Sequence, residues 1–321
     1  MKVRVVASTR VGYVMPKEEA LSFGGKAAGI CYMPDSFDAI LTEAPEKTMK
    51  RAEGNLKNRH HSVFEHAHYN FVLEGIPKIL AMVLNNEGVY VTSEKSARYT
   101  QMKPSPKEKE LYDKWLEKFQ SLISAEYGKK YLKYYGDEKK AATAIKKIAQ
   151  ENARYLISVF TNTTMAYTVS FRQLSYIVSF FKRFIADEED TAFNVKLKAA
   201  MKDFIDALPE GIIEERLDAE EKDRKLAIFD DRKERKEFFS EAYCTTYKGT
   251  FAEYAQAHRH RTLWYKMRFL DEFEFYVPEI LKSHEDLIKE WAEDMKAVAE
   301  FYPQGMLISI RERGTYENFI L

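Results

Sequence analysis

One order of features occurs twice along this chain, and that echo constrains the fold more than composition does. A strand-like run ends at Gly75, Asn85 lies ten residues on, and the pair Arg98-Tyr99 precedes a helical run carrying a tryptophan. Further along, a strand-like run ends at Gly249, Arg259 lies ten residues on, and Arg268-Phe269 precedes a second tryptophan-bearing run. The two runs share their spacing. Leu111, Trp115, Phe119 and Leu122 step by four, four and three onto one helix face, as do Leu287, Trp291, Met295 and Val298. This order predicts a tandem duplication: a complete first unit over 1–212, a charged connector over 213–237 and a shortened second unit over 238–321.

Local periodicity fills in the elements. VRVVAS at 3–8 is a β-branched run with strand character, and Tyr69, Phe71 and Leu73 alternate with His68 and Asn70 in the period of a half-buried strand. Helices are predicted from Pro106, over about 138–157, and from Arg172 to Leu208 with Pro209 as the stop. Strands are predicted at 165–171, 243–248 and 306–311. The connector carries EERLDAEEKDRK (214–225) and DDRKERKE (230–237), charge runs that read as solvated faces.

Hydrophobic residues make up 45% of the 321, enough for a sizeable core, while 50 basic residues offset 50 acidic ones. A neutral chain gives no field for wrapping nucleic acid or lying on an anionic membrane, so an anion has to be held by a local cluster. The two cysteines, Cys31 and Cys244, form no CxxC and support neither a disulfide framework nor a cysteine zinc site. The opening MKVRVVASTRVGYVM lacks a signal-peptide core, and no run approaches the roughly 20 apolar residues of a membrane span. The expectation is a soluble, reduced, cytoplasmic protein.

Six of seven histidines fall in two clusters. HHSVFEHAH (60–68) offers imidazoles and a carboxylate at short spacing, but HExxH is absent and no metal is expected. The same histidines read equally well as partners of backbone carbonyls near a strand entrance. QAHRHRTLWYKMRF (256–269) places Arg259 and Arg261 either side of His260, with Trp264, Tyr265 and Phe269 interleaved. Two guanidinium forks beside an imidazole suit a phosphate or a delocalised anion; the alternative is a solvated basic helix turn. Gly24-Gly25-Lys26 is no P-loop, and neither GxGxxG nor GxSxG is present.

Taken together, these residues resemble the flavin-dependent thymidylate synthases, the thymidylate synthase complementing proteins. AGICYMPDS (28–36) is similar to the family's opening. His60, Ser62, Glu65 and His66, running into YNFVLEG, match its H-x-S-x-x-E-H block. Its Arg-His-Arg triplet and Ser-x-Arg-Tyr element are split between the copies. The first keeps Glu94, Ser96, Arg98 and Tyr99 but has Asn85-Asn86-Glu87 at the triplet. The second keeps Gln256 and Arg259-His260-Arg261 but has Lys266-Met267-Arg268-Phe269 at the other element. In the later block Arg154, Thr168, Arg172 and Leu174 match, while Ser158 departs from Pro, Ser170 from Asn and Phe181 from Arg, with Arg183 two residues on. The closing Ala-Gln-x-Glu survives as Ala192-Phe193-Asn194-Val195, and the second copy reaches Leu321 before that element.

The resemblance implies an α+β fold with a mixed sheet packed by long helices, and reductive methylation of dUMP to dTMP using FAD, NAD(P)H and methylenetetrahydrofolate. It implies flavin binding by His60, Ser62, Glu65, Arg172, Arg259, His260 and Arg261. Nucleotide binding falls to Glu94, Ser96, Arg98, Arg154, Gln256 and Arg259, with Arg183 and Ser96 catalytic. Family sites form between subunits, so a fused chain is expected to build a composite site from both copies and to act as a homo-oligomer, two tandem chains replacing a tetramer. The alternatives are a non-catalytic flavin- or nucleotide-binding homologue and a pyrimidine-nucleotide hydroxymethylase.

Overall fold

The computed structural model describes residues 10–32, 37–96, 102–217, 243–257 and 262–320. In chain order the first part comprises α1 (Lys17–Gly29), α2 (Phe37–Leu41), α3 (Pro45–Lys57), β1 (His68–Pro77), α4 (Lys78–Asn86), β2 (Tyr90–Glu94), α5 (Pro106–Tyr135), α6 (Glu138–Ala153), β3 (Asn162–Ser170), α7 (Phe171–Asp187) and α8 (Ala192–Ala207). It continues with β4 (Tyr243–Thr250), α9 (Phe251–Ala257), β5 (Trp264–Phe269), α10 (Glu285–Ala297), β6 (Leu307–Gly314) and α11 (Tyr316–Ile320). The class is mixed α+β. The strands form two three-stranded sheets ordered β1–β3–β2 and β4–β6–β5, so the last strand of each set sits in the middle. β6 is antiparallel to both neighbours, with Ile310 opposite Tyr247 on one side and Met267 on the other.

The strand predicted over 3–8 lies outside the described residues. The helix predicted over 172–208 is two helices. α7 stops at Asp187, and Thr191 caps α8 by accepting from the Asn194 N–H, because the intervening Glu188, Glu189 and Asp190 extend no apolar face. α5 starts with a capping box: Ser105 accepts from the Glu108 N–H, Glu108 accepts from the Ser105 N–H, and Pro106 occupies the first turn. It ends at Gly136, whose φ of 64° is the left-handed stop that glycine adopts without strain.

By packing, the chain divides into two compact units: Met1–Phe71, Val89–Val91 and Tyr167–Lys222, and Val72–Gly88, Thr92–Ala166 and Asp223–Leu321. In the first, α1 lies on α3, and a Cβ at Gly25 would sit 2.6 Å from the Thr48 carbonyl oxygen, so only glycine permits the approach. Arg51 clamps this pair, donating twice to Glu43 at 2.7 Å and once to the Gly25 carbonyl at 2.8 Å. Glu214 and Leu217, at the head of the charged run, are buried; Arg216 holds the Glu214 carboxylate at 2.7 Å.

The Arg51 guanidinium, with a further hydrogen bond from Thr48, holds the Glu43 carboxyl at about 2, against an ordinary 4.5. A carboxyl lowered in the folded state contributes stability above its unfolded pKa and loses it as pH falls through the folded one. Glu43→Gln is therefore expected to cost about 2–3 kcal/mol at neutral pH. The gap from wild type should close between pH 4.5 and 2 in acid unfolding followed by circular dichroism. A gap independent of pH would show that the charge is not what matters.

The second unit carries all three tryptophans, and here the two predicted helix faces meet. Trp115 of α5 and Trp291 of α10 are both fully buried and pack edge to face with centroids 4.8 Å apart, with Phe119 5.7 Å from Trp291. Each indole N–H is satisfied: Trp115 donates to Asp294 at 2.7 Å and Trp291 to the Tyr276 carbonyl at 2.8 Å.

A local twofold relation runs through this unit. Ser158 and Pro303 face each other as an antiparallel bridge. The Val159 N–H donates to the Tyr302 carbonyl at 3.0 Å, and the Gln304 N–H returns the bond to the Ile157 carbonyl at 2.8 Å. The helices beside this bridge repeat one pattern. At the start of α4, Lys78 and Ile79 donate to the carbonyls of Thr161 and Val159; at the start of α9, Phe251 and Ala252 donate to those of Met306 and Gln304. Residue matches residue: Lys78 with Phe251, Ile79 with Ala252, Ser158 with Pro303, Val159 with Gln304.

Candidate nucleotide-binding cleft

In the second unit, Lys78, Ser96, Arg154, Ala252, Ala255, Gln256 and Gln304 line one small cleft. Ser96 follows β2, Arg154 opens the 3-10 turn after α6, and Gln256 stands on the last turn of α9. Residues far apart in sequence, Ser96 and Arg154 from the first stretch and Gln256 from the second, thus share a wall. The space between them is about 10 Å³, room for little more than a water.

Glu94 does not line this cleft. Its carboxylate, 3% exposed, accepts from the Lys78 Nζ at 2.7 Å. It orients the ammonium, and Lys78, which no sequence motif marks, is the residue that faces the cleft. Each lining polar group can donate, an ammonium, a guanidinium, a hydroxyl and two amides, and no carboxylate lines the cleft. Such a set selects an acceptor-rich, anionic group. Gln304 is 2% exposed, and its Nε2 is buried with no hydrogen-bond partner. Its place in Pro303-Gln304-Gly305 gave no sequence signal.

Other candidates lie in the first unit. Glu65 accepts from Arg172 at 2.7 Å. His60 and Ser62 are exposed, the first preceding and the second within a short 3-10 turn spanning His61–Glu65. A larger cleft of about 1060 Å³ in this unit is lined by His66, His68, Asn70, Thr168 and Lys26 among others, and not by His60, Ser62, Glu65 or Arg172. Thr168 donates to Asn70 at 2.7 Å across its wall. Arg183 donates to Ser179 at 2.7 Å, one turn back on α7, while Phe181 is fully buried against Phe204. Arg98, Arg259, His260 and Arg261 lie outside the described residues.

The departures from the family pattern have local reasons. Ser170 caps α7, accepting from the Gln173 N–H at 3.1 Å. Ser158 donates its backbone N–H to Glu108 at 2.6 Å, a bond that proline could not make. Asn85 and Glu87 are buried, and Glu87 adds to the burial that pushes the Tyr254 phenol up, so this part of α4 and its end serves the core.

No curated protein matches the chain. Two crystal structures of flavin-dependent thymidylate synthase ThyX from Helicobacter pylori, each with FAD and dUMP, are similar to it. One is 21% identical, covering 59% of this chain and 90% of that one, with a TM-score of 0.34. The other is 20% identical, covering 62% and 95%, with a TM-score of 0.35. The family model for thymidylate synthase complementing protein matches residues 15–204, more than half of the 321. The chain belongs to the thymidylate synthase complementing protein family.

Proposed function

We propose that the cleft of Lys78, Ser96, Arg154 and Gln256 is a composite dUMP site, completed by Arg98 and Arg259, and that the chain carries out flavin-dependent reductive methylation of dUMP. The observation that carries this reading is the shared wall of Ser96 and Gln256, the two halves of a motif that each stretch of sequence holds in part. Arg154 and Lys78 hold the anionic end of the nucleotide, Ser96 and the amides donate to it, and Glu94 keeps the Lys78 ammonium in place. Arg183 is the proposed partner of the uracil edge.

A lining with two cations and no carboxylate fits an anionic group, and Arg259, His260 and Arg261 are the residues proposed to hold the flavin beside it, with His60, Ser62, Glu65 and Arg172. FAD, when bound, supplies the reducing equivalents, which NAD(P)H restores, for turning the one-carbon unit of methylenetetrahydrofolate into a methyl group. A homo-oligomer in which two tandem chains replace four single ones is the proposed assembly.

The narrowness of the cleft and the buried Phe181 favour a second reading, a homologue that binds nucleotide or flavin without turnover. Colour separates the two. Purified protein that is yellow and bleached by NADPH supports the oxidoreductive site; colourless protein that takes up no added FAD overturns it. Arg259→Ala is expected to weaken dUMP binding or flavin retention at least about tenfold, since an Arg–phosphate contact is charge-assisted. Unchanged affinity for both would remove Arg259 from the site.

A further inference from the structure

We infer that Gln304 is a further ligand-binding residue of this cleft, donating from Nε2 to a phosphate oxygen, and that the chain holds one such cleft where its twofold relation would allow two. The inference rests on the proposed nucleotide reading of the cleft.

The first argument is the amide itself. A buried donor without a partner is costly, and one that lines a cleft of cations calls for an acceptor from outside the protein. The Gln304 backbone is pinned on both sides, its N–H donating to Ile157 at 2.8 Å and its carbonyl accepting from Ala252 at 3.0 Å, and the residue is 2% exposed. Its neighbour Gly305 allows the close approach, since a Cβ there would sit 2.7 Å from that of Tyr155. The residue is thus anchored in the lining beside Arg154 and Lys78 before any ligand arrives.

The second argument is the missing mate. Carrying the cleft across the twofold replaces Lys78 by Phe251, Gln304 by Val159, Gln256 by Val83, Ala252 by Ile79 and Ala255 by Met82. Those five residues are buried and apolar, each no more than 1% exposed. Three of the five polar positions of the one cleft, Lys78, Gln256 and Gln304, have apolar counterparts that have become core. Among the described residues the internal dyad therefore keeps this polar arrangement on one side.

Gln304→Met keeps the size of the side chain and removes the donor. By calorimetric titration, dUMP and inorganic phosphate are each expected to bind the variant about 10- to 100-fold more weakly than wild type. Deoxyuridine, which lacks the phosphate, should be affected less than twofold. The unliganded variant should melt at a higher temperature than wild type, because an unpartnered buried amide has been replaced by an apolar group. Wild type should take up one dUMP per chain. Two dUMP per chain, unchanged phosphate affinity in both Gln304→Met and Gln304→Leu, or an equal loss for deoxyuridine would each overturn the inference. Wild type that binds phosphate but not dUMP, with the phosphate lost in Gln304→Met, would sink the thymidylate synthase reading and keep this one. Wild type that binds neither sinks both.

Discussion

Trp291→Ala is expected to destabilise the second unit by about 3–5 kcal/mol, the range for emptying a fully buried large aromatic. Three consequences add together. The Trp115 edge loses its partner at 4.8 Å and Phe119 its own at 5.7 Å. The Tyr276 carbonyl loses the indole donor. The cavity cannot close easily, because Trp115 is fixed by its bond to Asp294, itself gripped by Lys114 at 2.5 Å. Urea unfolding followed by the remaining tryptophans, Trp115 and Trp264, reports on this unit alone, since the other unit has none. A loss under about 1 kcal/mol would mean that the two helix faces are not the core they form here.

Glu108→Ala is expected to cost about 2–4 kcal/mol, the sum of a lost capping box and an orphaned buried N–H. One carboxylate oxygen of Glu108 accepts from the Ser105 N–H at 3.0 Å and from its hydroxyl at 2.5 Å; the other accepts from the Ser158 N–H at 2.6 Å. The carboxylate thereby ties the start of α5 to the segment that follows Arg154. From this comes a less intuitive expectation: Ser158→Pro, which restores the family residue, should destabilise rather than repair. Proline brings no N–H, so Glu108 would keep a buried oxygen with nothing to accept from. Ser158→Ala removes only the hydroxyl, which donates to the Phe301 carbonyl and accepts from the Phe160 N–H, and should cost about 1 kcal/mol. Thermal melts of the three variants check the order; a Ser158→Pro protein as stable as wild type would show that Glu108 finds another donor.

The elements that sequence alone marked well are those whose signal is local. β1 and β3 follow alternation, and α5 and α10 follow a stripe that returns every third or fourth residue, because backbone geometry repeats at those periods whatever lies around it. Caps are equally local: Thr191 starts a helix of its own within the stretch predicted as a single helix. The family resemblance marked Ser96, Arg154 and Gln256, which the fold brings to one wall, and Glu94, which it turns toward Lys78 instead.

Sequence by itself determined the class, the strand and helix periods, the two tryptophan faces and the membership of a family, all properties of short stretches read in order. Tertiary structure alone decided that those faces pack on each other, that Ser158 needs its N–H, and that Lys78 and Gln304 turn polar groups into one cleft while Phe251 and Val159 seal its counterpart. The physical reason is that a lysine after a proline, or a glutamine before a glycine, has no meaning until a twofold pairing more than a hundred residues away sets what lies opposite it.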